Sequence, residues 1–470
     1  MMRSNFLLAW LCLASVSWGG DSGLRLATFR ADVTPPLGPI PSMGVIAEVK
    51  LVEHPLEARG VVLEFGGARH VLAAIDYCGL CNASHDVFCE KIAAAVGAKP
   101  GEVALQALHQ HTAPVLDTDG ARLLYAADEK TLETHLRFSA EMADRVADAV
   151  KKALPNLQPV TRVVASRAKV ERVASNRRVP AGDGSILVRW SSNRDLDVRS
   201  KPEGLIDPWL RTLTFFSNDR PLVQLHYYAT HPQSFYRDGR ITWDVPGIAR
   251  SRLERETGVF QVYFTGCGGN VTMGKYNDGT PEARAELSGR LYEAMRQAAA
   301  AGRATESDDP FGGSAATDFA VDIARLDPQG ISWQGAPLAF AVREDGKFAD
   351  AQLQKVFSGS SVADTRMTAA MNIAWNRRLR SGRLPNVTRL RIGPIQVVNL
   401  PGEPFVQFQL YAQQAAPKSF VCVAGYGECG VWYYGPDSIY RDRGGYEQTA
   451  SYTAPCEARV KAVLDDLLRP

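Results

Sequence analysis

The apolar positions of this chain change period along its length, and the changes lay out its elements. "ARGVVLEFGGARHVLAAIDYCGL", residues 58–80, reads as two strands about the Gly66–Gly67 turn, the second running into Asp76. In "SHDVFCEKIAAAVG" the spacing turns helical, with Ser84 as the expected cap and Gly97 as the stop. "EVALQALH" is a short apolar strand, and residues 130–154 form a long amphipathic helix. "TLTFF" and "PLVQLHYYATH" predict a strand pair about a polar turn. Helix "VPGIARSRLERE", strand "GVFQVYFTG" and helix "PEARAELSGRLYEAMRQAAAA" follow. Next come a strand near Phe319–Leu326, a helix over Thr365–Leu379 and one strand "VTRLRIGPIQVVNL". Helix "EPFVQFQLYAQQA", strand "SFVCVAGYG", a Tyr-rich loop and a closing helix from Ala454 complete the chain.

Strands alternating with helices predict the α/β class, with a mixed or partly parallel sheet covered by helices. No internal repeat is visible. The weakest-patterned stretch, about residues 298–317, is expected to be a surface connection inside one large domain spanning 21–470.

Composition narrows the partners. Apolar residues make up 45% and charged residues 22%, enough to bury a sizeable core. The formal net charge of +2 comes without any Lys/Arg block, so nothing electrostatic points to nucleic acid. The first twenty residues stand apart: Arg3, an apolar run Phe6–Ala14, then Ser17, Gly19 and Gly20 form the three-part pattern of a signal peptide over residues 1–20. The mature protein is therefore expected to be secreted or periplasmic. No later apolar run reaches the roughly 20 residues of a membrane helix. Losing Cys12 with the leader leaves seven of 8 cysteines, an odd number with at least one free thiol. "CGLC", Cys78 to Cys81, reads as a redox or zinc pair or, more plainly, as a disulfide or buried thiols in a strand-to-helix turn. No second CxxC completes a structural zinc site.

The chain has only 8 histidines, yet "ALHQHTAP" sets His109 and His111 one residue apart where an apolar strand ends. Side chains two apart on a strand face the same way, so both can enter one site; two satisfied histidines in a polar turn are the plainer reading. "LHYYATHPQSF" is a second apolar strand ending in a histidine, His231. His226, five residues earlier, falls on the opposite face and reads as structural. "TWDVPG" adds Asp244, a carboxylate that equally suits a helix cap. "VVNLPGEPF" ends a third strand at Pro401–Gly402 and presents Glu403. Three strands that each end in a ligand-type residue predict a site along one sheet edge. In "GCGGNVT" the glycines allow close backbone approach to a ligand, Asn270 offers a hydrogen bond within the site, and Cys267 is expected to be buried and inert. Neither a GxSxG elbow nor an HExxH helix occurs.

These motifs, with "FRADVTPP", "AAIDYCGL", "SNRR" and "WYYGPDSIYRDRGGYE", occur in the order found in the neutral/alkaline, non-lysosomal ceramidases. From about residue 27 to residue 450 the chain resembles the catalytic domain of that family. The resemblance implies a zinc-dependent amidohydrolase acting on a linear amide C–N bond, with Zn2+ held by His109, His231, Glu403 and Tyr433. Tyr434 is the alternative for the last ligand. It also implies His111 beside the scissile bond and Arg177, of "SNRR", facing the oxygen that becomes negative. On the residues alone, a surface arginine beside Arg178 is the plainer reading of Arg177. Asp76 and Asp244 take supporting roles. The immunoglobulin-like C-terminal domain of characterised ceramidases is not expected, because only one helix follows "GGYE". "TAPVLDTDG" stands in place of the serine-, proline- and glycine-rich character that follows HxH in many members. The substrate class therefore stays open among ceramide, another lipid or small-molecule N-acyl amide, and an ester. Two rivals remain: a TIM-barrel metal-dependent amidohydrolase with ligands among His226, His231 and Asp244, and a secreted non-catalytic binding protein on the same scaffold.

Overall fold

The computed structural model describes residues 23–302 and 315–469, apart from Val45, Arg237 and Pro328. The expected leader over residues 1–20, and residues 303–314 of the expected connection, lie outside the described residues.

Three open sheets carry the longer strands, and six two-stranded pairings complete the set among the described residues. The first holds β1 (Arg25–Asp32), β2 (Glu57–Phe65), β3 (Ala68–Ile75) and β4 (Val103–Ala107) in sequence order, with Gln158–Pro159 beside β1. The second holds β5 (Arg162–Lys169), β6 (Trp209–Ser217), β7 (Arg220–Tyr228), β8 (Phe260–Thr265) and β9 (Ala315–Asp322) in the order β8-β7-β6-β5-β9. The third is β10 (Ile331–Pro337), β11 (Asn386–Ile392), β12 (Ile395–Asn399) and β13 (Phe420–Ala424) in sequence order. No closed barrel forms among the described residues, which removes the TIM-barrel reading.

The sheets share one plan. Three strands meander antiparallel, then the chain crosses over and adds a fourth strand parallel to the third: β4 beside β3, β8 beside β7, β13 beside β12. A parallel neighbour cannot be reached by a tight turn, so each crossover carries a helix. These helices are Ala83–Val96 (α1), Asp244–Thr257 (part of a later pair) and Val406–Ala415. With Glu129–Ala153 as α2, Asp244–Thr257 is α3, Pro281–Ala301 is α4, Ala363–Arg380 is α5 and Val406–Ala415 is α6.

Strand alternation divides the apolar residues between inner and outer cores. In β3, Leu72 and Ala74 join Leu213, Leu225, Val262, Leu390 and Val397 in a core shared by all three sheets. Val71, Ala73 and Ile75 of the same strand pack outward against Phe88 and Ile92 of α1 and Met142 and Val146 of α2. The outer face of the second sheet meets Leu253 of α3 and Leu287, Leu291 and Met295 of α4. No helix among the described residues is long and apolar enough to cross a membrane.

Three boundaries differ from the sequence expectation. "VTRLRIGPIQVVNL" is not one strand but the hairpin β11–β12, broken where Gly393 takes φ 56 before Pro394. Ser84 does not cap α1; Asn82 holds the cap position, Asp119 accepts the Ala83 N–H, and the Ser84 hydroxyl accepts the Thr118 N–H. The strand expected near Phe319–Leu326 is β9, which starts at Ala315 and gives way to a 3-10 turn at Ile323.

Candidate metal centre

The three crossovers turn at one end of their sheets, and the site is built from these turns. His109 lies just past β4, His231 just past β7 and Glu403 just past β12. The strand-face argument for His109 and His111 does not hold, because β4 stops at Ala107 and His109 has a left-handed φ of 68. That conformation costs a non-glycine residue of order 1–2 kcal/mol and persists where the surroundings fix it. Here the His109 N–H donates to Tyr77 O at 2.9 Å. The turn still brings the two rings to 5.0 Å, edge to face.

His109 Nε2 lies 3.2 Å from His231 Nε2, and Glu403 Oε2 lies 3.2 and 2.9 Å from those two atoms. The Tyr433 hydroxyl is 3.3 Å from His231 Nε2, placed there by a short parallel pairing of Glu403–Pro404 with Tyr433–Tyr434. Tyr434 points away and donates to Pro401 O at 2.8 Å. All four converging side chains are buried.

The tautomers are set from behind. His109 Nδ1 donates to Cys78 O and His231 Nδ1 to Gly268 O, each at 2.6 Å, so both Nε2 atoms face inward and, in the neutral rings, carry lone pairs. Apart from the two imidazoles, neither Glu403 oxygen has a hydrogen-bond partner. Two lone pairs, a carboxylate and a phenol oxygen thus crowd one point with nothing of opposite charge between them. Tetrahedral zinc with bonds of about 2.0–2.1 Å sets its donors about 3.3 Å apart, close to the spacings found here. The donor set fits a dication.

The electrostatics say the same. Burial would raise the Glu403 carboxyl, but the two imidazoles hold it well below the usual carboxylate range. Against the cost of burial, Glu403 and Cys78 push His109 up to about 10, while burial and the Arg177 charge push His231 down to about 4. Without a metal, one proton substitutes for it. Burial and Glu403 push the Tyr433 phenol far up, so a phenolate there needs a cation beside it.

Arg177 is buried, donates from Nη1 to the Tyr433 hydroxyl at 3.2 Å, and has its backbone N–H on Asn270 O at 2.7 Å. It is not the surface arginine of the plainer reading. His111 has its ring 5.9 Å from that of His231, with a partner on neither nitrogen, and burial together with the neighbouring imidazoles pushes its pKa well down. The trio Cys78, His109 and His111 also places donor atoms within 4.8 Å. It shares His109, however, whose Nδ1, 4.0 Å from Cys78 Sγ, is already committed to Cys78 O.

The remaining candidates are scaffolding. Asp76 forms a buried bidentate pair with Arg250 at 2.7 and 2.5 Å. Asp244, first residue of α3 rather than its cap, accepts the Ser234 and Val245 N–H groups and fixes the loop after His231. His226 bonds Thr212 and Gln261 at 2.8 and 2.7 Å, away from the centre. Asn270 accepts the Val406 N–H at the start of α6 instead of entering the site. A Cβ at Gly269 would collide with Glu403 O, so the close approach this glycine permits is to the protein's own backbone. Cys267 is buried with its thiol pushed well up by burial, and the "CGLC" cysteines are buried free thiols.

Sequence reasoning missed Tyr426. Its ring stacks on His109 at 4.3 Å, its hydroxyl stands 3.5 Å from His231 Nδ1, and its φ is 61. The flanking glycines of "AGYGE" were the available signal.

No family model matches the sequence, and no curated protein matches it either. Among solved structures, one described as "Ceramidase complexed with C2" superposes with a TM-score of 0.64 at 14% identity, covering 95% of this chain and 75% of that one. A neutral ceramidase from Pseudomonas aeruginosa superposes with a TM-score of 0.64 at 16% identity, covering 95% of this chain and 74% of its own. The chain has the fold of these ceramidases.

Proposed function

We propose that this protein is an exported, zinc-dependent hydrolase that cleaves a linear N-acyl amide with water, as a ceramidase does. One observation carries the reading: a second inward imidazole nitrogen, a carboxylate with no partner beyond the imidazoles and a phenol oxygen all lie buried 2.9–3.3 Å from His231 Nε2. The names of the two similar structures agree with it in reaction class.

His109, His231, Glu403 and Tyr433 would hold the metal. A zinc ion there would polarise the amide carbonyl and bring the pKa of water toward about 7. The Arg177 guanidinium, held on the Tyr433 hydroxyl, would stabilise the charge that develops on the carbonyl oxygen. His111, with two unpartnered ring nitrogens, takes the proton from the attacking water and gives it to the departing amine nitrogen. Cys78 O and Gly268 O keep the two donor imidazoles in the tautomer this requires. Export rests on the leader pattern of residues 1–20.

The test is elemental analysis of purified protein, with turnover on a panel of N-acyl amides from ceramide to short-chain compounds. Stoichiometric zinc, and hydrolysis abolished by chelator and restored by zinc, is the expected result. Bound zinc without turnover on any member would leave a binding protein and overturn the hydrolase.

A further inference from the structure

Arg177 and Arg178 are neighbours with different destinations. Arg177 enters the site, whereas Arg178 reaches into segment 442–448, which carries Tyr446. Its Nη1 donates to Glu447 Oε2 at 2.6 Å and to Gln448 Oε1 at 3.0 Å, and its Nη2 to Asp442 Oδ2 at 2.6 Å. The grip is largely dry: side-chain exposure is 9% for Arg178 and 0% for Glu447. Gly445 has φ 81, and a Cβ there would stand 2.6 Å from Arg178 Nη1, so the segment lies directly on the guanidinium. The hairpin that begins at Arg178 extends the hold, with the Ile186 N–H on Arg443 O at 2.8 Å and the Gly445 N–H on Ile186 O at 2.9 Å.

What this segment holds is a wall of the metal centre. The Tyr433 ring stands between two others: His231, nearly parallel at 6.0 Å, and Tyr446, edge to face at 5.5 Å. Arg177 Cζ is 5.7 Å from each of the Tyr433 and Tyr446 ring centres. The backbone of Tyr433 is fixed by its pairing with Glu403; its ring also packs with Phe405 and Ile439, and Tyr446 closes the side next to Arg177. We propose that Arg178 is a positioning residue: by clamping Asp442, Glu447 and Gln448 it keeps Tyr446 against Tyr433, and so keeps the Tyr433 phenol on the metal and on Arg177. The proposal rests on the reading of Tyr433 as a metal donor.

Copper(II) is the probe, because a phenolate bound to it gives a visible charge-transfer band that a merely less stable protein with the same ligands retains. The native protein should show the band and Tyr433→Phe should lose it. Arg178→Gln should keep stoichiometric copper yet lose most of the band, and Arg178→Lys, which restores charge without the fork, should recover part of it. Arg178→Gln leaves Glu447 buried without its partner, so Arg178→Gln/Glu447→Gln, which removes both charges, is measured alongside and should show the same loss. A band that Tyr433→Phe removes but both Arg178 variants leave unaltered overturns the positioning role alone. A band that survives Tyr433→Phe overturns the four-donor reading and this proposal with it.

Discussion

Stripping and restoring the cation tests the centre most directly. A ligand that binds only the folded chain stabilises it by RT ln(1 + [L]/Kd), about 4 kcal/mol at a free concentration roughly a thousand times Kd. Unfolding entropies near 2 cal/mol/K per residue give about 1 kcal/mol/K for a chain of 470 residues. Zinc should therefore raise the Tm of chelator-treated protein by about 4 °C under those conditions. The geometry says which substitutions abolish the shift. Glu403→Gln removes the charge that lies 3.2 and 2.9 Å from the two Nε2 atoms, and the zinc-induced shift should fall toward zero. Tyr434→Phe is the control, since its hydroxyl is spent on Pro401 O. Losing that bond costs about 1 kcal/mol, so the metal-free and zinc-loaded Tm should both drop by about 1 °C and their difference should survive. Scanning calorimetry with zinc analysis on the same samples reads both quantities. A Glu403→Gln protein with full zinc and the full shift would refute the convergence argument.

Arg177→Ala should leave bound zinc unchanged and lower turnover on a cleavable amide by roughly 10²–10³-fold; equal turnover would remove the oxyanion role. Arg250→Met leaves the Asp76 carboxylate buried with little more than the Glu57 N–H and should cost about 3–5 kcal/mol, read as a lower urea midpoint with zinc per folded chain unchanged. Asp117 supplies the pH dependence. Burial pushes its carboxyl up to about 7, despite hydrogen bonds from the Gly120 N–H and Asn82 Nδ2. The folded chain keeps this proton where the unfolded chain has lost it. The contribution of Asp117 to stability therefore falls as pH rises from about 4 to about 7 and is level above, by up to about 4 kcal/mol. Asp117→Asn should flatten that slope in urea titrations between about pH 5 and about pH 7.5; an unchanged slope would place the proton elsewhere.

Much of the frame was legible because apolar periodicity and turn residues are local. The β2–β3 hairpin about Gly66–Gly67 and the Gly97 stop of α1 are read from a few neighbouring residues. The strand ends near His109, His231 and Glu403 were legible for the same reason: an apolar run that halts at histidines or at Pro401–Gly402 marks a strand edge. What stayed hidden depends on partners far along the chain. Tyr426 matters only because β13 lies beside β12, which delivers Glu403. Arg178 looked like part of a basic loop because its acceptors lie more than 260 residues away. The choice between Tyr433 and Tyr434 turns on which side of a two-residue bridge faces His231, a matter of register that spacing does not fix.

The common plan of the three sheets has a kinetic consequence. Each meander with its crossover can form from local segments, yet each supplies only one of His109, His231 and Glu403 at its strand ends. No half-folded species with one or two sheets in place brings the three side chains together, so an ion has nothing to hold until the last sheet docks. Stopped-flow refolding should run at the same rate with zinc as with chelator, and the whole effect of the ion should appear as slower unfolding.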